Sequence, residues 1–533
     1  MRKNYVLVIV FFICVSLQAQ TGPGGVGNNS NNIIWLDANT LGLTNGASVS
    51  SWTDNSGNSN HATQGVSGNQ PTYNTNQLNS LPTIDFDGTD DFLEFTSDIT
   101  TQAYSFFVVF SKDVTNQQNI FTINNHQLTH KLGNAFVLSL TPTKVHSIAK
   151  ASGSYSIMSG KTSSSASGVD IQLTNGSAVS TTTRNSFHTA LNSILGARAT
   201  GATTNDTYLN GQIAEFILYN EELSDAQRDI ISSYLEAKYN LTSVSNLFAF
   251  NSTHGTEVMG IGQDADGSNT SARGTDDILI DNPSDLGNNE YLLIGNDNGG
   301  FAVSNSVPAG IVERWTQIWK ADVTGAPGTI DMEFFLDAGN FATPANYRIL
   351  IENNDGDFSN GDVTINPTVG TYSVGNNSIK FSSISLANGD HFTLGEVGVD
   401  TISVKSDDWN DPTTWSCNCI PSTGPSITID VGHIVTVTAA QSVTNLTVNG
   451  TLAFSGSNTL SVHGNLIMNG SLTAGSGTIE AVGTGSAQSF SNTSGSRVDL
   501  NNLTVNNTNG LNISSGGWSL SNNLQVTAGG LDV

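Results

Sequence analysis

Aspartate and asparagine gather in a few short stretches of this chain, and oxygen-rich clusters of that kind are the raw material of a hard-cation site. The densest, LPTIDFDGTDDFLEF at 81–95, carries Asp85, Asp87, Asp90 and Asp91. NNDGDFSNGD places Asn353, Asp355, Asp357 and Asp362 around Gly356, with oxygen side chains at alternate positions. Calcium takes about six to eight oxygen ligands, and a glycine allows the sharp turn such a loop needs. The candidate calcium ligands are therefore Asp85, Asp87, Asp90, Asp91, Asp355, Asp357 and Asp362. The second loop lacks the terminal bidentate glutamate of an EF-hand and its flanking helices. The same residue types also form Asx turns, and spacing alone leaves both uses open. Asp54, Asn55, Asn58 and Asn60 in SWTDNSGNSNHA, and Asp264, Asp266, Asp276 and Asp277 in QDADGSNTSARGTDD, pose the same choice.

Other reactive residue types are sparse. Glycoside hydrolysis needs two carboxylates about 5 to 10 Å apart across one cleft. Glu94 and Glu215 are isolated glutamates in strand-like segments, and solitary acids of this kind read as solvated or turn-bound. No catalytic residue is assigned. Trp35 and Trp52 read as core rather than as a sugar-stacking surface. His61 reads as a polar turn residue. Cys417 and Cys419 form C-x-C, read as a local disulfide rather than half of a metal site, because no partner Cys or His lies nearby. Such a bridge closes too small a loop to add much chain entropy.

The elements that must hold these residues are mostly strands. Only 12% of residues are charged, 37% are apolar, and Gly, Asn, Ser and Thr supply much of the rest. That composition suits many short strands joined by tight turns. Residues 1–19 have the form of a secretory signal: Arg2 and Lys3, an apolar run from Val6 to Val15, then Leu17-Gln-Ala19 before a cut. The run is too short for a comfortable membrane span, and no other stretch is long and apolar enough. Loss of Arg2 and Lys3 moves the formal net charge from -27 to -29. So acidic a surface excludes wrapping of nucleic acid and is repelled by anionic membranes. The length calls for several domains.

One helix stands out. Ser224 and Gln227 have capping-box spacing, Asp225 lies in the first turn, Lys238 near the last, and Ile230, Ile231, Tyr234, Leu235 and Tyr239 share a face. The strand before it holds Ile213, Phe216, Ile217, Leu218 and Tyr219. The series W-L-D at 35–37, W-x-D-x-S-G-N-x-N-H-A at 52–62, P-x-I-D-F-D-G-T-D-D-F-L at 82–93 and N-G-x-I-A-E-F-I-L-Y at 210–219 before a helix resembles LamG-like domains of secreted bacterial proteins. The resemblance covers roughly 200 residues and implies a concanavalin A-like jelly roll at 20–242. That fold serves lectins, glycosidases and adhesion modules alike. The E-x-D-x-x-E strand usual in its glucanases is missing from this sequence.

Residues 243–398 read as a second β-sandwich, with Trp315 and Trp319 on one shared face. E-R-W-T-Q-I-W-K followed by I-E-N-N-D-G-D-F resembles a domain that follows LamG-like modules in secreted Bacteroidota proteins, a resemblance that brings no activity with it. From 399, SDDWNDPTTW resembles the motif that opens β-helical arrays in the same group, with Trp409 and Trp415 expected to cap the first coil. Strand triplets then recur, such as LTV at 446, LSV at 460 and LTV at 503. Such recurrence predicts a stacked parallel β-helix, with an antiparallel sandwich as the alternative. The sequence stops mid-repeat, and we expect the longer protein to continue into an anchoring or catalytic module.

The functional expectation is a secreted or outer-surface, adhesin-like binding protein. Its jelly roll would recognise polysaccharide or a surface glycan, with calcium as the one cofactor suggested. The alternatives are a polysaccharide-degrading glycoside hydrolase, or the carbohydrate-binding portion of one, and a structural stalk without a ligand.

Overall fold

The computed structural model describes residues 22–533 except 102, 114–117, 124–125, 132–134, 142–143, 146–147, 150–152, 163–168, 174–177, 183–191, 201–204, 243–245, 275–277, 309–310, 337–346, 361, 369, 398–400, 417–419, 422–425 and 484–485, and gives the backbone alone within 126–149 and 169–182. The expected export signal, the Cys417 and Cys419 pair, and Asp276 and Asp277 lie outside the described residues. The architecture is all-β, with two sandwich regions and a C-terminal solenoid. The chain forms two compact units: 1–275 with 286–293 and 324–327, and 276–285 with 294–323 and 328–533.

The first unit contains the jelly roll. Its sheet 1 runs Ala178–Thr182, Val169–Leu173, Ser156–Thr162, Tyr104–Lys112, Asn210–Tyr219, Leu81–Asp87, Thr72–Leu78 and Ala47–Ser48, with Asn32–Asp37 also paired to Asn210–Tyr219. Sheet 2 runs Lys144–Val145, Ala135–Thr141, His126–Lys131, Gln118–Ile123, Ile194–Leu195, Leu93–Phe95, Ala62–Thr63 and Ser51–Trp52. Alternation decides what lies between the sheets. Tyr104, Phe106, Val108 and Phe110 face inward with Ile84, Phe86, Phe216 and Leu218, against Trp52, Phe95 and Phe121. Phe121 meets Phe106 edge-on at 4.9 Å and Phe216 at 5.3 Å.

The opposite face of sheet 1 receives the helix. Helix α1 spans Asp225–Tyr239 with the expected Ser224/Gln227 capping box, and Asn240 ends it in the left-handed region. Its expected amphipathicity proves incomplete. Buried side chains surround it, because Phe107, Val109, Ile157 and Ile217 pack on one side while Val258, Tyr291 and Leu293 pack on the other. Each aliphatic buried this way contributes about 1.5–3 kcal/mol. A β-bulge sets the polarity of this contact. Ile213 pairs with Phe110 and Glu215 with Val109, so one extra residue, Ala214, shifts the alternation. Without it Glu215 would point between the sheets; with it the carboxylate points at α1.

In the second unit, Ile311–Trp315 and Trp319–Thr324 run along His391–Val397, and Ile330–Phe335 pairs with Ser378–Ile384. Trp315 and Trp319 do share a face: their rings lie 6.1 Å apart, and Trp319 touches Phe334 at 5.7 Å and stacks on Phe392 at 5.8 Å. From Thr401 onward the described strands pair in parallel, in three sheets, with one isolated antiparallel bridge between Ser403 and Trp415. Ile427, Leu446, Leu466 and Phe490 stack in register on one wall, and Val443, Val462, Ala481 and Val505 on another. This registry settles the solenoid against the antiparallel alternative. Trp409 and Trp415 pack edge-on at 4.8 Å within the first coils, where the Trp415 indole donates to the Trp409 carbonyl at 2.8 Å.

Candidate functional site

The loop after strand Leu81–Asp87 brings three carboxylates together. Oxygens of Asp87, Asp90 and Asp91 lie within 4.8 Å of one another. The turn itself explains part of this geometry. Asp87 Oδ1 accepts the Thr89 amide at 2.7 Å and the Asp90 amide at 3.4 Å, while Asp91 Oδ2 accepts the Asp87 amide at 3.0 Å. Among the described residues no donor reaches the remaining oxygens, and no Lys or Arg forms an ion pair with the three. Asp91 is only 6% exposed. Burial, followed by repulsion from Asp87, Asp90 and Asp85, pushes its carboxyl up to about 6. Three close carboxylates without a cation are the donor set a hard divalent ion takes.

Asp85 does not join that cluster. Alternation turns it to the outer face of sheet 1, opposite Gln212 across the ladder. Burial and the nearby Asp113 raise its carboxyl above the usual range, against the Gln212 amide, which lowers it. In the second predicted loop the carboxylates of Asp355 and Asp357 serve their own turns. Asp355 Oδ1 accepts the Asp357 amide at 2.9 Å, and Asp357 Oδ1 accepts the Ser359 amide at 2.9 Å and hydroxyl at 2.6 Å. The Asp362 amide donates to Asn360 at 3.0 Å. Asp355, Asp357 and Asp362 are exposed and do not converge as the first three do. What organises this loop is Glu352, fully buried, which accepts the Asn354 amide at 2.7 Å and the Gly356 amide, and lies 3.4 Å from His391.

The SWTDNSGNSNHA motif is a clasp. The Asp54 carboxylate accepts from Trp35 N at 2.9 Å, Ser56 N at 2.9 Å, Ser56 Oγ at 2.8 Å and Asn60 N at 2.9 Å. Those donors fill its roughly four lone-pair sites and leave none for a metal. Asn58 and Asn60 donate side-chain amides to the carbonyls of Asn32 and Ile33, both at 2.9 Å, and His61 Nδ1 accepts the Asp54 amide at 3.1 Å. The cluster ties the first strand to its neighbours. Asp266 is also structural, accepting the Asp225 amide at the start of α1 at 3.0 Å. Trp35 and Trp52 are both buried.

Glu215 corrects the expectation of a solvated or turn-bound acid. It is fully buried, and accepts from Trp35 Nε1 at 2.7 Å, Tyr234 OH at 3.1 Å, Tyr239 OH at 2.8 Å and Lys238 Nζ at 2.7 Å. Lys238 Nζ also donates to Asp37 at 2.7 Å and Tyr234 OH at 3.0 Å. Burial raises the Glu215 carboxyl, partly offset by Lys238. Burial alone would lower the Lys238 ammonium; Glu215, the two tyrosines and Asp37 hold it well above the ordinary lysine range. With every acceptor site occupied, this is a structural network. Sequence offered one signal for it: the acid sits among β-branched and aromatic residues, where only a paired charge survives. Glu94 lies on the outer face of sheet 2, exposed, held by Asn192 at 2.9 Å. Glu94 and Glu215 thus leave opposite outer faces of the sandwich and do not flank one bond.

Residues 227–390 match a family described as a domain of unknown function, DUF8202, and residues 414–488 match the G8 domain. No curated protein matches the sequence. Among solved structures, the chain is similar to the CBM40 of Ruminococcus gnavus IT-sialidase bound to α2,3-sialyllactose, at 14% identity and TM-score 0.21, over 25% of this chain and 82% of that one. It is similar to a GH54 α-L-arabinofuranosidase soaked with a cyclic sulfate inhibitor, at 16% identity and TM-score 0.28, over 44% and 59%. It is also similar to domain 4 of the GH43 arabinanase AbnA from Geobacillus stearothermophilus in complex with arabinotriose, at 13% identity and TM-score 0.26, over 37% and 96%. Likeness at this level identifies neither fold nor ligand for the present chain. No helix among the described residues is long and apolar enough to cross a membrane.

Proposed function

We propose that this protein is an adhesin-like binding protein, secreted or held at the outer cell surface after cleavage near Ala19. Its jelly roll, residues 20–242, recognises polysaccharide or a surface glycan. Residues 243–398 and the solenoid from 399 act as supporting modules. The observation that carries this reading is the two-sheet jelly roll itself, with one large acid consumed in a buried network and the other on the opposite face. That arrangement supports recognition over hydrolysis, which requires two acids at one cleft. The reading includes a calcium ion at Asp87, Asp90 and Asp91, supported by their shared 4.8 Å spacing. Asp85, Asp355, Asp357 and Asp362 are left outside that ion's shell.

The test is retention of the full chain on a panel of immobilised polysaccharides and glycans, with calcium and with EDTA. Retention on one glycan class supports the reading. Absence of retention under both conditions moves the protein to the structural-stalk alternative.

A further inference from the structure

Sheet 1 has an outer face that α1 covers only in part. Beyond the helix, one row of side chains crosses five strands. The ladder pairs Ser48 with Thr72, Thr72 with Asp85, Asp85 with Gln212, and Gln212 with Ser111. All five are polar, and all lie opposite the inward series that includes Tyr73, Ile84, Ile213 and Phe110. Strands about 4.8 Å apart make the row about 19 Å long. Tyr155, just before the next strand, closes it: its hydroxyl donates to Gln212 Oε1, which also accepts the Thr83 hydroxyl at 2.8 Å. Ser48 is exposed, Thr72, Asp85, Gln212 and Tyr155 are half-buried, and Ser111 is buried, so the row reaches solvent from Ser48 to Gln212 while its side chains hold one another in place.

We propose that this row is the carbohydrate-contact surface, and that its ligand is a neutral polysaccharide; the proposal rests on the carbohydrate-binding reading above. Sugar hydroxyls both donate and accept. Here they meet a carboxylate acceptor, an amide and hydroxyls on short side chains that lose little entropy on contact. The Tyr155 ring supplies an apolar face at low entropic cost. Charge selects among sugars. Asp85 and Asp113 stand on or beside the row, and among the described residues neither is ion-paired to Lys or Arg. An anionic polysaccharide would meet uncompensated negative charge, which disfavours it against a neutral chain.

The experiment is affinity electrophoresis of the full chain in gels containing xylan, arabinan, mannan or β-1,3-glucan, with polygalacturonate as the anionic comparison. Wild type is expected to be retarded by a neutral polysaccharide and not by polygalacturonate. Tyr155→Ala and Gln212→Ala are expected to weaken that retardation about tenfold or more, as the loss of one or two recognition bonds does. Ser48→Arg, at the exposed end of the row and away from the core, should obstruct the same site even if an interior variant loses stability. Asp355→Asn, in an exposed turn away from the row, should keep wild-type retardation. Wild-type binding unchanged in all three row variants, or a preference for polygalacturonate, overturns the assignment of this face while the carbohydrate reading stands. No retardation of wild type by any polysaccharide overturns both.

Discussion

Replacing Lys238 with methionine removes the one cation from a buried site that holds two carboxylates. Asp37 is 5% exposed and Glu215 fully buried, and Lys238 Nζ lies 2.7 Å from each. Methionine preserves the aliphatic stem and its packing against Tyr234 and Tyr239, so the perturbation is mainly electrostatic. Breaking a buried pair by removing one partner costs about 3–5 kcal/mol, because the remaining charge stays uncompensated. Glu215 would keep three neutral donors, and Asp37 would keep only its bond from the Asn39 amide at 2.9 Å. The loss should therefore fall inside that range rather than below it. For a unit of this size each kcal/mol lowers Tm by about 2–4 °C, so a fall of about 10 °C is expected by calorimetry at pH 7.5. The sign with pH is fixed. In the variant the Glu215 carboxyl, raised by burial, loses the lysine that offsets that rise, so the penalty is present at neutral pH and is relieved as acid protonates it. The gap between wild type and variant should narrow at pH 4.5. A variant within 1 °C of wild type, or an equal gap at both pH values, would refute the account of this network as a compensated charge cluster.

Asp91, with its carboxyl pushed up to about 6 in the folded state, favours the protonated form there, so its contribution is fully present below pH 4 and lost as pH rises through 6. Asp91→Asn should accordingly raise Tm at pH 8 in EDTA, by an amount worth about 1–2 kcal/mol after allowance for solvent screening, and have almost no effect on Tm at about pH 3.5, below both values; differential scanning calorimetry reads both. Millimolar calcium should raise the wild-type Tm at pH 8 and not that of Asp91→Asn, since a ligand held only by the native state stabilises it; a calcium-indifferent wild type rejects the ion at this cluster. Asp54→Ala strands four donors in the clasp and should cost about 2–4 kcal/mol in urea unfolding, whereas Asp355→Ala, in an exposed turn, should cost less than about 1 kcal/mol. Gly196, at φ +86, would bring a Cβ to 2.4 Å from the Phe86 ring, so Gly196→Ala should lower Tm measurably without altering the solenoid's far-UV signal.

Local rules were enough for much of this chain. The capping box at Ser224 and Gln227 fixes where α1 starts, because it involves atoms three residues apart. The β-branched and aromatic runs at 104–110 and 213–219 mark strands, and the recurrence from LTV at 446 points to a solenoid, while the parallel pairing is what excludes an antiparallel sandwich. The acidic loop after Asp85 was also legible as a cluster. Which of its members converge was not: alternation sends Asp85 to the sheet face, and the turn at Gly88 gathers Asp87, Asp90 and Asp91. Glu215 looked solitary because its partners are Trp35, Asp37 and the far end of α1, brought near only by sheet pairing and helix docking. The bulge at Ala214 that aims it has no sequence signature, since a one-residue slip in register depends on the partner strand. The row from Ser48 to Ser111 was equally hidden, being one residue from each of five strands whose neighbours are set by topology. The sequence by itself determined the elements and their ends, since those depend on contacts a few residues long. Tertiary structure alone decided which charges are buried, paired or presented, because those depend on distances between residues far apart in the chain.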